Sequence, residues 1–514
     1  MKKLFRYPQL LSSNVDNLCI TYNMKKIFVI LLSFVFIFGL TACKKKDNIS
    51  DLSTNLSTYN IDIDLNTDKK QMQVNQTLNY INNTDSILKA LKFHLYPQFF
   101  EEGATNSVVS STKMNDAYPN GMSYANFELK KVNLNNQDKS IVYENEFDSI
   151  LSVELTNSLL PNKSIEIGFE YNIALPNCEH RFGYGNNTIN LANFYPIACV
   201  YENGSFNTSP YNANGDPFYS DMANYNVTIS LDKSYTVAST GEKTNEKIID
   251  NKKEISYSAK LVRDFALVCS DKFEVINEKV ENTNVEYYYF NDNNPEQSLK
   301  TGVDSIRTFS EKFGTYPYKN YSIVKTDFIH GGMEYPNLVM ISADIENADD
   351  YLNVIIHETA HQWWYAMIGN DQYLYPWLDE ALTEFSTILF YDYNEGYNYN
   401  HNQMIDASKA NYSMFISVYE DVLGSIDTSM RAVNEYATEP EYTYCTYVKG
   451  VLMYESLYEL IGEKKFCAGL KTYFENNKYK NVTPENLINA FEEASKQELS
   501  NFFDSWIKGK VVIR

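Results

Sequence analysis

Histidine is scarce in this chain, with six in 514 residues. Cysteine is nearly as rare, at seven, and no two stand in C-x-x-C spacing, which argues against a thiolate metal site. Positive charge is also short: 44 Lys and Arg against 66 Asp and Glu leave a net charge of −22. Phosphates are bound by Lys and Arg, so such a surface disfavours nucleic acid and anionic membrane surfaces. It suits cationic peptides, or simply solubility. No internal repeat is visible. The apolar run from Ile27 to Leu40 is too short for a comfortable spanning helix.

What is present is an ordinary globular balance, 44% apolar and 21% charged, on a chain long enough for two or more domains. The stretch MKKIFVILLSFVFIFGLTAC, residues 24–43, has two lysines, an apolar run and then small residues, the pattern of a secretory signal peptide. Its closing LTAC resembles the bacterial lipobox, in which the cysteine is lipidated and becomes the first mature residue. That resemblance implies a lipid anchor at Cys43 and an extracytoplasmic protein held at the bacterial cell membrane. An uncleaved anchor is the alternative, and it puts the rest of the chain in the same place. Met24 then stands as a candidate true start, and residues 1–23 are left out of the fold. The five remaining cysteines are odd in number, so at least one is unpaired, and the sequence does not define a pairing.

Residues 44–57 are polar and read as a flexible tether. From about 58 to 275 short segments alternate apolar and polar residues between Asn, Asp and Gly, as in YNIDIDLNT, SIEIGFEYNIAL, NYNVTISLD and VEYYYFND. Period two with Tyr, Val, Ile and Thr predicts half-buried strands, hence an antiparallel β sandwich or saddle. From 276 to 514 the texture is helical. Helices are expected over 349–368 ending at Gly369, over 377–393, over 447–462, and from Thr483-Pro484 onward. The fold class expected is multidomain α+β.

Two of the six histidines, His357 and His361, sit four apart in HETAH. On a helix they share a face and can reach one ion. Glu358 lies about 100° round the helix, able to approach such an ion without ligating it. This is the H-E-x-x-H arrangement of zinc peptidases. A catalytic zinc takes three protein ligands and keeps a position for water. Glu380, in PWLDEALTEF, would return beside the first helix after a loop of about ten residues and complete the set. Glu384, one turn on, either hydrogen-bonds a ligating histidine or sits on a solvated face. Two imidazoles and a carboxylate suit one Zn²⁺ per chain, and other divalent ions share that chemistry.

Three motifs in order carry a family resemblance: HETAHQWW with Glu380 after an eighteen-residue gap, GGMEYP at 331–336, and YVKG at 447–450. Together they resemble the aminopeptidase N family of zinc metallopeptidases, the gluzincins. GDPFYSDMANYNVTISL, RDFALVCSDKF and FFDSW add lesser likenesses, so the resemblance spans roughly residues 58–510. It implies a thermolysin-like catalytic domain. It implies Glu358 as general base and Tyr447 as the phenol that stabilises the oxyanion. It also implies substrate binding by the GGME segment, Gly331, Gly332, Met333 and Glu334, with Glu334 pairing the α-ammonium of the substrate. Gly331 and Gly332, lacking Cβ, are expected to let a substrate backbone lie close. Tyr335 departs from the family pattern at the pocket for the first side chain. The longer relatives continue into a helical domain that this chain lacks, which predicts a more open cleft.

The function expected is a zinc-dependent aminopeptidase acting on peptides with a free N-terminus. The alternatives are a zinc endopeptidase on the same scaffold and a non-catalytic peptide-binding surface lipoprotein. Nothing in the sequence defines an oligomeric state.

Overall fold

The alternation in Thr58–Asn66 becomes a strand whose Tyr59, Ile61, Ile63 and Leu65 are buried while Asn60, Asp62 and Asp64 face solvent. Such alternation arises because successive side chains on a strand point to opposite faces. In this computed structural model, which describes residues 48–104, 106–144, 149–511 and 513, the strand belongs to an eight-stranded sheet. The order from one edge is Glu242–Ile249, Lys252–Val262, Ala223–Asp232, Thr58–Asn66, Gln71–Ile81, Ser164–Ala174, Asn126–Leu134 and Gln137–Lys139. Only the Thr58–Asn66 and Ala223–Asp232 pair runs parallel. The edge strand Glu242–Ile249 is fully exposed and rich in Lys and Glu, which discourages edge-to-edge pairing. Two four-stranded sheets complete this β layer. In one of them, Ile189–Ala192 and Ala266–Ser270 are buried along their whole length.

The change of texture falls between Ser270 and Glu274. There a five-stranded mixed sheet begins, in the order Glu274–Val280, Thr283–Tyr289, Asn320–Thr326, Leu338–Ser342 and Gly332–Met333. VEYYYFND therefore belongs to this second sheet rather than to the first. Gly332–Met333 is its short edge strand, antiparallel to Leu338–Ser342. The helices Pro295–Lys312, Ala348–Ala360, Trp377–Tyr393 and Lys449–Ile461 follow. Ile49–Arg514 is one compact unit, and a single hydrophobic core runs through both layers. The mixed architecture of β layer followed by helical layer is the α+β class expected.

Three local expectations need correction. Residues 49–55, expected within a flexible tether, form the helical turns Ile49–Leu52 and Ser53–Asn55, with Ser53 buried and its carbonyl accepting from Asn224. The helix bearing HETAH stops at Ala360, not at 368. A π-helical turn, Gln362–Met367, takes over, with Trp364 and Tyr365 out of helical geometry. The Tyr447 segment is also a π-helical turn, Tyr444–Val448, ahead of Lys449–Ile461. Trp377–Tyr393 and Pro484–Ser495, capped by Thr483, run where the sequence placed them. The signal segment and Cys43 lie outside the described residues. Among those described, no helix is long and apolar enough to cross a membrane, and all five cysteines are free.

Candidate metal centre and active site

Asn347 caps the Ala348–Ala360 helix, accepting from the backbone N–H of Asp349 (2.8 Å) and Asp350 (3.1 Å). The last turn presents His357 and Glu358, and His361 forms its C-cap. The π-helical turn then bends the chain so that the Trp364 carbonyl lies 3.0 Å from His361 Nδ1. The His361 Nδ1–H donates to it, with the Thr383 hydroxyl also 3.2 Å away. This keeps a proton on Nδ1 and turns Nε2 inward, the nitrogen that would ligate an ion in place of any proton it carries.

Glu380 comes from the first turn of Trp377–Tyr393, where the helix dipole favours a carboxylate. Its Oε2 lies 3.2 Å from His361 Nε2 and 3.5 Å from His357 Nε2, and the two imidazole nitrogens are 3.1 Å apart. Ligands about 2.0–2.1 Å from a tetrahedral zinc stand about 3.3 Å from one another. Three donor atoms already at that spacing, all on buried or nearly buried side chains, fit the ion without rearrangement. Burial works against charge on both groups. Nevertheless His361 is held well above its ordinary value by Glu380 and Glu334, and Glu380 is held below its own by His361 and His357. A cluster that stores charge against burial is one that a divalent cation neutralises.

Glu358 is buried beside this set, and its Oε2 has no hydrogen-bond partner. Burial first, and then Glu334 and Glu380, push its carboxyl well above the usual range, with His361 opposing. Its other oxygen rests against Gly332, where any Cβ would collide with the carboxylate. The close neighbour of Gly332 is thus Glu358 itself, while a Cβ on Gly331 would meet only Val354 at 3.7 Å. Met333 points into the hydrophobic core and does not line the cavity. Glu334 does line it. Gln372 Nε2 donates to Glu334 Oε1 (2.8 Å) and to Asp379 Oδ2 (2.9 Å). Tyr335 turns inward and donates to Asn193 Oδ1 at 2.6 Å.

Tyr447 stacks near His357, ring centroids 6.4 Å apart, with Tyr442 edge-on behind it at 5.7 Å. Its turn reaches the metal set because the helices Trp377–Tyr393 and Lys449–Ile461 cross closely. A Cβ on Gly450 would overlap that of Ala381, the residue after Glu380. Burial pushes the Tyr447 phenol well above its ordinary value, so it stays a proton donor. Glu384 stands 3.5 Å from His357 Nδ1, an ion-pair separation rather than a short hydrogen bond.

The metal set, Glu358, Glu334, Gly331, Gly332, Glu384 and Tyr447 border one cavity of about 390 Å³. Sequence reasoning passed over Gln372, Asp379, Thr383 and the Trp364 carbonyl. It also passed over the wall contributed by the β layer, including Arg181 and Asp216. Asp216 lies in GDPFYSD, a segment whose family likeness was the one available signal.

Residues 297–506 match the family model described as the peptidase family M1 domain. Aminopeptidase N of Lactococcus lactis subsp. cremoris is 26% identical over 223 residues, 41% of this chain and 26% of its own length. Glutamyl aminopeptidase of Rattus norvegicus is 24% identical over 313 residues, 55% of this chain and 32% of its own. The chain thus spans a quarter to a third of these relatives. An M1 zinc metallopeptidase from Deinococcus radiodurans superposes with a TM-score of 0.63 at 16% identity, covering 89% of this chain and 94% of that one. A variant of it bound to a Tyr-Ser-Ala substrate gives 0.62 at 15% identity, over 89% and 94% of the two chains.

Proposed function

From the premise that residues 297–506 are a peptidase family M1 domain, we propose that the protein is a zinc-dependent aminopeptidase. The observation that carries this reading is the meeting of His357, His361 and Glu380 with the unpartnered Glu358 carboxylate and the buried Glu334 in one cavity. Zinc, when bound by the two imidazoles and Glu380, supplies Lewis acidity toward the peptide carbonyl and toward water. Glu358 takes a proton from the attacking water at Oε2 and returns it to the leaving amine. Gly332 holds the carboxylate in place by leaving no room for it to turn back. The Tyr447 phenol, kept protonated by burial, donates to the oxygen on which negative charge develops, a contribution of roughly 3 kcal/mol for such donors.

Glu334 supplies the measure from the N-terminus. Burial pushes its carboxyl up to about 8, and Asp216, Glu380 and Asp379 add to this against His361. A cationic α-amine arriving beside it provides the missing counter-charge. Gln372 fixes the oxygen that remains. Substrates are therefore peptides with a free N-terminus. The structure bound to Tyr-Ser-Ala among the similar folds supports a peptide in such a cleft.

Acetylating the N-terminus of a peptide substrate tests the reading. Hydrolysis should be lost, and retained hydrolysis would identify an endopeptidase instead. Glu358→Gln should abolish turnover on every substrate while the purified protein keeps one zinc. The anchoring of the enzyme outside the bacterial cytoplasmic membrane through Cys43 belongs to the same proposal and rests on residues 24–43 alone. Its check is release of Cys43→Ser protein from the membrane fraction.

A further inference from the structure

The wall of the cavity formed by the β layer carries cationic and donor groups that the reaction above does not use. Arg181 is 5% exposed. Its Nη1 donates to Asp216 Oδ1, yet its Nε–H has no partner. A buried guanidinium N–H without an acceptor calls for an explanation. Lys113 lines the same wall and gives one of its three protons to Glu439 Oε1 at 2.9 Å.

His330 completes the group, and its proton can be placed. His180 Nδ1 accepts the Arg181 backbone N–H at 2.9 Å, so the His180 proton sits on Nε2. That atom faces His330 Nε2 at 3.3 Å, which must then accept. Both rings are held neutral, since burial and the neighbouring Arg181 and Lys113 charges lower them well below their ordinary value. The His330 proton is therefore on Nδ1. Arg181 and Lys113, each with an unused N–H, and the neutral His330 thus border a cavity whose metal-side groups, Glu334, Glu358 and Glu380, are all acidic.

We propose that Arg181, Lys113 and His330 form a specificity corner that receives a carboxylate of the peptide substrate, either its free C-terminus or an acidic side chain beside the scissile bond. This rests on the aminopeptidase reading and names its substrate class more narrowly. A cavity of about 390 Å³ holds only a short peptide, whose far carboxylate stays within reach of the wall. Placed elsewhere in the acidic cavity, the same carboxylate would be repelled.

The test uses zinc-loaded full-length protein and two substrate pairs. Leu-Gly-Gly against its C-terminal amide reports on the terminus, and Glu-p-nitroanilide against Gln-p-nitroanilide reports on the side chain. The carboxylate member of one pair should show a KM at least tenfold lower. That ratio should fall toward one in Lys113→Met and in Arg181→Met. Lys113 is only partly buried, so its variant carries the test if the Arg181 variant does not fold. Discrimination in neither pair, or a ratio untouched by Lys113→Met, overturns the corner. Failure to hydrolyse any of the four would instead overturn the aminopeptidase reading. The Kd of Glu358→Gln protein for Leu-Gly-Gly against its amide, by calorimetry, would then decide the corner alone.

Discussion

The carboxylate of Glu358 packs against the Cα of Gly332, and the edge strand leaves it no space to retreat. In the proposed mechanism the base and the Gly332–Met333 strand therefore act as a single mechanical unit. Gly332→Ala should displace the carboxylate by about 1 Å and lower kcat on an aminoacyl chromogenic substrate roughly 100-fold. Zinc content should stay at one per chain, because none of the three ligands touches Gly332. Gly331→Ala, with ordinary space around its Cβ, should stay close to the parent enzyme. Equal rates for the two variants would show that the contact does not position the base.

The cluster of His357, His361, Glu380, Glu358 and Glu334 gathers three carboxyl groups and two imidazoles in one largely buried place. A divalent ion that binds only the folded state stabilises it by about 2.7 kcal/mol at a hundredfold excess over Kd. Chelation should therefore lower Tm by roughly 3 °C and abolish hydrolysis, with both restored by zinc. Thr383→Val removes the hydroxyl beside His361 Nδ1 and should weaken zinc about tenfold, read by competition with a chromophoric chelator. A Tm indifferent to chelator would mean that the cluster folds without a cation.

The sequence pattern reached some of this site and not the rest, for physical reasons. Alternation in Thr58–Asn66 and the four-residue spacing of His357 and His361 are properties of single elements, and the strand and helix periods express them directly. Glu380 was within reach because it opens the next helix. The partner of His361 Nδ1 was not, because it is a backbone carbonyl placed by a π-helical turn inside what reads as a continuous helix. The packing of Gly332 was out of reach for a similar reason. Its neighbour is 26 positions away in sequence, Glu358, and no periodicity encodes that contact. Arg181 and Asp216 lie further still, in the β layer, and meet the catalytic helices only through the fold.

Lys449 is fully buried and has no carboxylate at hand. Its ammonium donates instead to the backbone carbonyls of Thr428 and Trp506. It thereby ties the turn bearing Tyr447 to the last helix, Ser500–Ile507. Lys449→Met leaves the Thr428 carbonyl without a donor, while Trp506 keeps the Gly509 N–H at 3.2 Å, a cost of about 1–3 kcal/mol. Tyr447→Phe removes only the phenol and should lower kcat about 100-fold or more with Tm unchanged. Denaturation midpoints and kcat measured on both variants separate the roles. A stable Lys449→Met protein would show that the tie carries no load.

His401 bridges two helices that shape the site. Its Nδ1 lies 2.8 Å from Asp392, at the end of the helix Trp377–Tyr393 that carries Glu380, and its Nε2 lies 2.9 Å from Glu455, on the helix that follows Tyr447. Two carboxylates facing both nitrogens demand the imidazolium. Burial opposes that charge, but the two hydrogen bonds overcome it and push His401 up to about 9. A folded-state value raised above the unfolded value of about 6.5 adds stability that is complete below pH ~6.5 and is lost as pH rises through 9. Discounted for the solvent that still reaches the ring, the contribution is about 1–2 kcal/mol. His401→Gln should remove that increment at pH 6 and make no difference near pH 10, so the two Tm-against-pH curves converge as pH rises. Curves that run parallel from pH 6 to 10 would show that the bridge does not hold the helices by charge.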